Sequence, residues 1–248
     1  MHQFFVNPSQ INTTDKSVII TGSDVNHLRN VLRMKPGQEI SVSNGVDGKE
    51  YRCGILSLES DKVLCELRLV KEVNVELSSK VYLFQALPKA DKMELIVQKA
   101  VELGVYQIIP MATKRCVVKL DKRKAASKVA RWQTIAEAAA KQCRRGIIPQ
   151  VTKILSFSQA LKKVYDIDVR LIPYEMAEGM EKTRKIIDSL KPGQAIAVFI
   201  GPEGGFEQEE IEEALASGLE PVTLGRRILR TETAGMTVLS WIMYRLEQ

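Results

Sequence analysis

The stretch from Ala195 to Ala234 constrains this chain most, because it places two glycine-containing loops at the ends of two strands. Ala195–Ile200 is an apolar run of strand length, too short for a helix and ended by Gly201 and Pro202. Gly204 and Gly205 permit left-handed backbone and the close approach of another backbone or a ligand. Glu207 to Ala216 then reads as a helix, with carboxylates at the positive end of its dipole and Gly218 just past its end. A short strand over Val222–Leu224 follows, and Gly225 opens a second tight loop that leads through Arg226, Arg227 and Arg230 into a final helix. Strands that end side by side in such loops predict an open α/β sheet with its ligand at the carboxyl edge.

Taken alone, Gly201–Gly205 is also compatible with an ordinary strand-to-helix turn. A phosphate is a poor ligand for it. Glu207, Glu209 and Glu210 open the following helix, no Lys or Arg stands within the loop, and neither GxxxxGK[ST] nor GxGxxG occurs. A ligand with a neutral or cationic reactive part fits better.

At 248 residues the chain is long enough for two domains, and a polar connector over 73–79 separates 1–72 from 80–248. The first part reads as short strands at Gln3–Val6, Ser17–Thr21, Glu39–Ser43, Glu50–Leu58 and Lys62–Val70. Turn signals such as Asn7-Pro8, Pro36-Gly37 and Asn44-Gly45 divide them, which predicts a small barrel. One helix interrupts it, capped by Ser23 or Asp24, with Val25, Leu28, Val31 and Leu32 as its apolar stripe. Arg29 and Arg33, four apart on that helix, are candidates for RNA contact, whereas His27 reads as a surface or half-buried side chain. From Val81 the pattern changes to strands alternating with long helices, the mark of a largely parallel sheet. Strands are expected at Val81–Leu87, Val105–Ala112 and Val169–Pro173. Helices are expected from the Asp91/Glu94 capping pair to Gly104, and at Ala125–Arg145, Ser158–Val164 and Thr183–Leu190.

The net charge of +6 is distributed by segment: residues 1–72 sum to zero, 85–150 to +9 and 151–248 to −3. Such a segment is the footprint of a polyanion partner, or a set of solvated helix faces. Within it TKRCVVKLDKRK, Thr113–Lys124, reads either as an edge strand guarded by lysines or as a phosphate-contacting loop. Lys89, Arg115, Lys119 and Lys122 are its candidates for RNA contact. The four cysteines lack CxxC spacing and only His2 and His27 accompany them, so no metal site is expected and reduced thiols point to the cytoplasm. No apolar run is long enough to span a bilayer, the start of the chain lacks a signal pattern, and no membrane partner is expected.

GPEGGF, Gly201–Phe206, followed by LGRRILRTETA, Leu224–Ala234, resembles the signature of the RsmE family. These are SPOUT-class, S-adenosylmethionine-dependent methyltransferases acting on N3 of a uridine in 16S ribosomal RNA of the small subunit. HLRNVLRMKPG, His27–Gly37, and RWQ…EAAAKQCRR, Arg131–Arg145, extend the resemblance over the whole chain. It implies a PUA-like RNA-binding β-barrel, then an α/β domain tied in a trefoil knot, and a homodimer with the cofactor at or near the interface. Gln3 stands where the family pattern has arginine, so that strand cannot supply the corresponding charge. The adenosine end is expected against Leu171, Ile172 and Pro173, against Gly201, Pro202, Glu203 and Gly204, and against Leu224, Gly225, Ile228 and Leu229. Thr231, Thr233 and Ala234 complete that expected set.

Methyl transfer in line from sulfur to a ring nitrogen gains most from holding both partners in contact and aligned. Uracil N3 carries a proton at neutral pH, so the site needs a base within reach and a cation for the uracil anion. Arg230 suits the cationic role through its planar fork, with phosphate anchoring as the alternative. Glu232 is the nearest carboxylate base, with water as its rival and helix N-capping as the other use of the residue. Two other classes have discriminating features. A non-catalytic assembly factor has no need of LGRRILRTETA, and a Rossmann-type nucleotide enzyme would carry the phosphate fingerprint.

Overall fold

A computed structural model describes residues 1–73, 75–175 and 179–247, and these divide into two units. The first comprises Met1–Glu76 together with Ala140–Ile148, the second Leu77–Ala139 with Pro149–Gln248. Asn74, within the expected connector, lies outside the described residues.

In the first unit six strands form one curled sheet: β1 (Gln3–Phe5), β2 (Ile11–Asn12), β3 (Ser17–Thr21), β4 (Glu39–Ser43), β5 (Lys49–Leu58) and β6 (Lys62–Glu72). Their order is β1-β4-β5-β6-β3-β2, antiparallel except for the β1–β4 pair. Two register shifts in β5, at Arg52/Cys53 and Ile55/Ser57, add the local twist that lets so small a sheet close over its core. Val18, Ile20, Leu28, Ile40, Val42, Ile55 and Val63 fill that core.

The expected helix differs in winding. Gly22 precedes it at φ 76°, α1 (Ser23–Asn26) makes one turn, and His27–Val31 continues as a wider turn in which the Leu32 N–H reaches the His27 carbonyl at 2.9 Å. The extra residue per turn rotates the stripe. Val25 and Leu28 are buried while Val31 is 61% exposed. Arg33, at φ 51°, lies past these turns and shares no helix face with Arg29.

Ala140–Ile148, which the sequence pattern assigns to the later domain, is held in the first unit by Arg145. Its guanidinium is 4% exposed and pairs with Glu76, Nε to Oε2 at 3.0 Å, and the Ile147 N–H also reaches Glu76 at 3.3 Å. Gln3 donates to the Arg145 carbonyl at 3.0 Å.

The second unit is a parallel sheet of β7 (Lys80–Ala86), β8 (Gln107–Ala112), β9 (Gln150–Val151), β10 (Leu155–Ser156), β11 (Val169–Pro173), β12 (Ala195–Ile200) and β13 (Glu220–Val222). Strand order is β10-β8-β7-β12-β11-β13, with β9 also on β8, and every pairing is parallel. Its helices are α2 (Lys92–Glu102), α3 (Lys122–Gln142), α4 (Phe157–Lys163), α5 (Met180–Ser189), α6 (Gln208–Ala216) and α7 (Thr231–Leu246). β12 is apolar along its whole length because both its faces are covered, and Phe84 of β7 stacks on Phe199 with centroids 4.3 Å apart. β9 and β10, two residues each, are too short to leave a periodic signal. Thr113–Lys124 contains no strand. It turns at Thr113–Cys116 and then runs unpaired into α3. Among the described residues no helix is long and apolar enough to cross a membrane.

Candidate active site

The carboxyl ends of β11, β12 and β13 feed three loops that line an open cavity of about 580 Å³. That is the size range of small-molecule sites, and its position follows the general rule for open parallel sheets.

The loop after β12 is fixed from behind. Gln85, fully buried on β7, donates to Thr231 Oγ1 at 2.9 Å, and that hydroxyl donates to the Gly201 carbonyl at 2.6 Å. One threonine thus joins β7, the loop and the first turn of α7. The loop doubles back so closely that a Cβ on Gly201 would stand 3.2 Å from Phe206 and 3.3 Å from the Gly205 backbone. Gly205 itself has φ +69°. A Cβ on Gly204 meets only Arg115, at an ordinary 3.5 Å, so crowding explains Gly201 and not Gly204.

From the front the loop is held by cations. Arg115 donates to the Gly204 carbonyl at 2.7 Å and to Glu207 at 3.0 Å. The Arg115 hydrogen bond keeps the Glu207 carboxyl below its usual range. Glu207 and Glu210 form the capping box of α6, and Glu210, 4% exposed, also accepts the Lys114 N–H at 2.8 Å. Lys114 pairs with Glu209. The acidic start of α6 is therefore answered by the Thr113–Cys116 turn.

Lys92, the first residue of α2, lies 2.8 Å from Glu203 and 3.5 Å from Glu232. Glu203 accepts the Lys89 N–H at 3.0 Å as well. Burial pushes the Glu203 carboxyl up, but Lys92 and backbone N–H groups outweigh it and hold the group below its usual range. The hydrogen bond to Glu203 raises Lys92 in turn.

In the loop after β13, Gly225 has φ +103° with nothing within 4 Å of the position a Cβ would take. The chain then presents Arg226, Arg227 and Arg230 as exposed side chains, with Ile228 between them 87% exposed.

Of the residues expected from sequence, Pro173, Gly201, Pro202, Glu203, Gly204 and Arg115 line the cavity. Leu224, Gly225, Ile228, Leu229, Arg230, Thr231 and Ala234 line it as well. Leu171 and Ile172 are fully buried in β11 behind the wall, and Glu232 and Thr233 lie on the first turn of α7, off the cavity surface. Lys89, Lys119 and Lys122 are exposed away from the lining, and Arg29 and Arg33 belong to the first unit. Lys92, Tyr174, Thr223, Arg226 and Arg227 line the cavity without having been singled out as site residues. For Lys92 no local signal exists, because its partners Glu203 and Glu232 are far along the chain.

Residues 75–243 match the family model for an RNA methyltransferase domain, and 20–68 the model for an RNA methyltransferase PUA domain. The ribosomal RNA small subunit methyltransferase E of Bacillus subtilis is 40% identical over 231 residues, covering 92% of this chain and 90% of that protein. The protein of the same name from Mesomycoplasma hyopneumoniae is 33% identical, covering 97% of this chain and 98% of its own. Among solved structures, the ribosomal RNA small subunit methyltransferase E of Neisseria gonorrhoeae bound to S-adenosyl methionine aligns with a TM-score of 0.83. It is 33% identical, over 97% of this chain and 96% of that one. Matched in both segments and nearly end to end, the chain belongs to the RsmE family of ribosomal RNA small subunit methyltransferases.

Proposed function

We propose that this chain uses S-adenosylmethionine to methylate N3 of a uridine in 16S ribosomal RNA, acting as a homodimer in the cytoplasm on the RNA or the small subunit. The observation that carries this reading is the cavity between two glycine loops at the carboxyl edge of a parallel sheet, in a chain of this family. Its walls suit the cofactor. Leu224, Leu229 and Ala234 offer apolar surface, and Gly201, Gly204 and Gly225 offer bare backbone. When bound, S-adenosylmethionine supplies an activated methyl group on a cationic sulfonium.

The chain's own residues do the rest. Gly201–Gly204 with Leu224, Gly225 and Leu229 hold and orient the adenosine end, Pro173 closes the third side, and Thr231 keeps the two loops at a fixed spacing. Leu171 and Ile172 support the wall from β11, and Thr233 and Ala234 shape the first turn of α7. Arg230, exposed at the cavity, stabilises the uracil anion. Glu232 sits off the surface beside Lys92, so it receives the N3 proton through one water. Residues 1–72 hold RNA, with Arg29 and Arg33 as its contacts. The path of residues 80–248 is read as the family's knot.

Mass spectrometry of ribosomal RNA from cells with and without the gene tests the reaction, alongside calorimetry of purified protein with S-adenosylmethionine. Loss of one N3-methyluridine on deletion, with stoichiometric cofactor binding, is expected. An unchanged modification pattern, or binding of NAD or ATP instead, refutes the reading.

A further inference from the structure

We infer that the Gly225–Arg230 loop is the RNA-docking element of the site. In this assignment the Arg226 and Arg227 guanidiniums take phosphates beside the target nucleotide, and Ile228 lies against a neighbouring base. The inference rests on the methyltransferase reading for the identity of the polyanion, and on three observations for the placement.

The first is where the positive charge is left available. In the +9 segment most cations are already engaged. Lys92, Lys114 and Arg115 pair with Glu203, Glu209 and Glu207, Lys128 and Arg131 with Asp91 and Glu94, and Lys141 and Arg145 with Asp24 and Glu76. A charge so paired offers a phosphate little. Arg226 and Arg227, in contrast, are exposed at the cavity and have no ion pair or side-chain hydrogen bond among the described residues. They stand in the C-terminal segment whose net charge is −3, where composition alone hides them.

The second is Ile228, 87% exposed between Arg227 and Arg230 at the cavity. The fold gains nothing from an isoleucine displayed so fully, whereas a base face beside a bound phosphate gives it a partner. The third is reach. The Watson–Crick edge of a stacked, paired base is closed to an enzyme, so the reacting uridine has to leave its stack and its strand be gripped on either side. Gly225, at φ +103°, turns the chain so that both cations follow directly on a cavity-lining residue. The cofactor's single carboxylate cannot by itself account for Arg226, Arg227 and Arg230 together.

The test measures the dissociation constant of small subunits from a strain lacking the gene, as a function of salt, for the wild type and for Arg226→Ala/Arg227→Ala. The double variant is expected to lower the salt slope by about 1.5 and to bind at least tenfold more weakly at 0.1 M salt, with cofactor affinity within twofold. Ile228→Asn is expected to weaken binding several-fold with the slope unchanged. Thermal melting checks the fold, and Arg226→Gln/Arg227→Gln serves if the alanine pair melts early. An unchanged salt slope in the double variant overturns the assignment. So does a loss confined to cofactor affinity, which would make these arginines carboxylate holders. A wild type that neither binds cofactor nor methylates, yet shows the slope change, would leave the docking loop standing and refute the methyltransferase reading instead.

Discussion

Lys92 ties together three segments, since its ammonium answers Glu203 in the first glycine loop and Glu232 at the start of α7 from the first position of α2. Lys92→Met leaves two carboxylates facing each other across the wall. Single-turnover methyl transfer is expected to fall tenfold or more, with Lys92→Arg retaining most of the rate. Equal rates for Met and Arg would mean that charge is irrelevant there. The tie also sets a pH window. The Glu203 carboxyl is depressed, so its contribution is present above the ordinary carboxylate range near 4 and is lost as pH falls through its folded value. Lys92 is raised, so its contribution is present below the ordinary lysine range near 10 and is lost as pH climbs past its folded value. Stability is therefore expected to hold from about pH 5 to 9 and to drop on the acid side as Glu203 is protonated, a drop that Lys92→Met should reduce, since the backbone N–H partners of Glu203 remain. Calorimetry across pH reads this directly. At the glycines, Gly225→Ala is expected to lose cofactor binding because φ +103° strains any other residue, whereas Gly204→Ala, with 3.5 Å to Arg115, should bind nearly normally. Comparable loss in both would mean that backbone conformation does not explain the site.

Elements meet at a few hydrogen-bonded junctions, and two of them are open to test. Thr231→Val keeps the shape but leaves the buried Gln85 amide and the Gly201 carbonyl without the shared hydroxyl, at a cost of about 1–3 kcal/mol. Cofactor affinity should fall with it while Thr231→Ser stays near wild type. Denaturant midpoints and calorimetry together distinguish that from a change in packing alone. The second junction holds Ala140–Ile148 in the first unit. Glu76→Ala removes the carboxylate that accepts from Arg145 and from the Ile147 N–H, which should cost about 3 kcal/mol. Gly146→Ala should act similarly, since its Cβ would lie 2.9 Å from the Gly48 backbone. If neither variant shifts the melting of the first unit, that junction contributes nothing to it. Element types were legible where the apolar period was long, as in α2, where Met93, Ile96, Val97 and Ala100 are all buried as expected. They were not legible at His27–Val31, because the residues that wind a wider turn are those that would wind an ordinary one.

At the scale of the whole molecule, charge counted along the chain and charge available for binding differ. The +9 of residues 85–150 assumes that each cation faces solvent, yet many of them close ion pairs with acids from other segments. Lys119→Ala/Lys122→Ala, which leaves Arg115 and the loop it holds untouched, is expected to lower the salt slope of RNA binding by less than one unit. A fall as large as that of the arginine pair would return the main RNA contact to the basic segment. Sedimentation of the purified protein tests the proposed homodimer, and a monomer at micromolar concentration speaks against it.

Local chemistry determined much. The change of period at Val81 separates a strand-rich part from an alternating one, and GPEGGF with LGRRILRTETA marks both glycine loops of the cavity, because tight turns depend on the residues within them. What only the tertiary structure decided involves residues far apart in the chain. It placed β12 between β7 and β11, brought Ala140–Ile148 to the first unit, and set Lys92 against Glu203, 111 positions away, and Arg115 against Glu207, 92 positions away. Periodicity tells which face of an element is apolar. Which charges that face meets depends on the path of the whole chain, and so the engaged lysines and the open arginines look alike until the chain is folded.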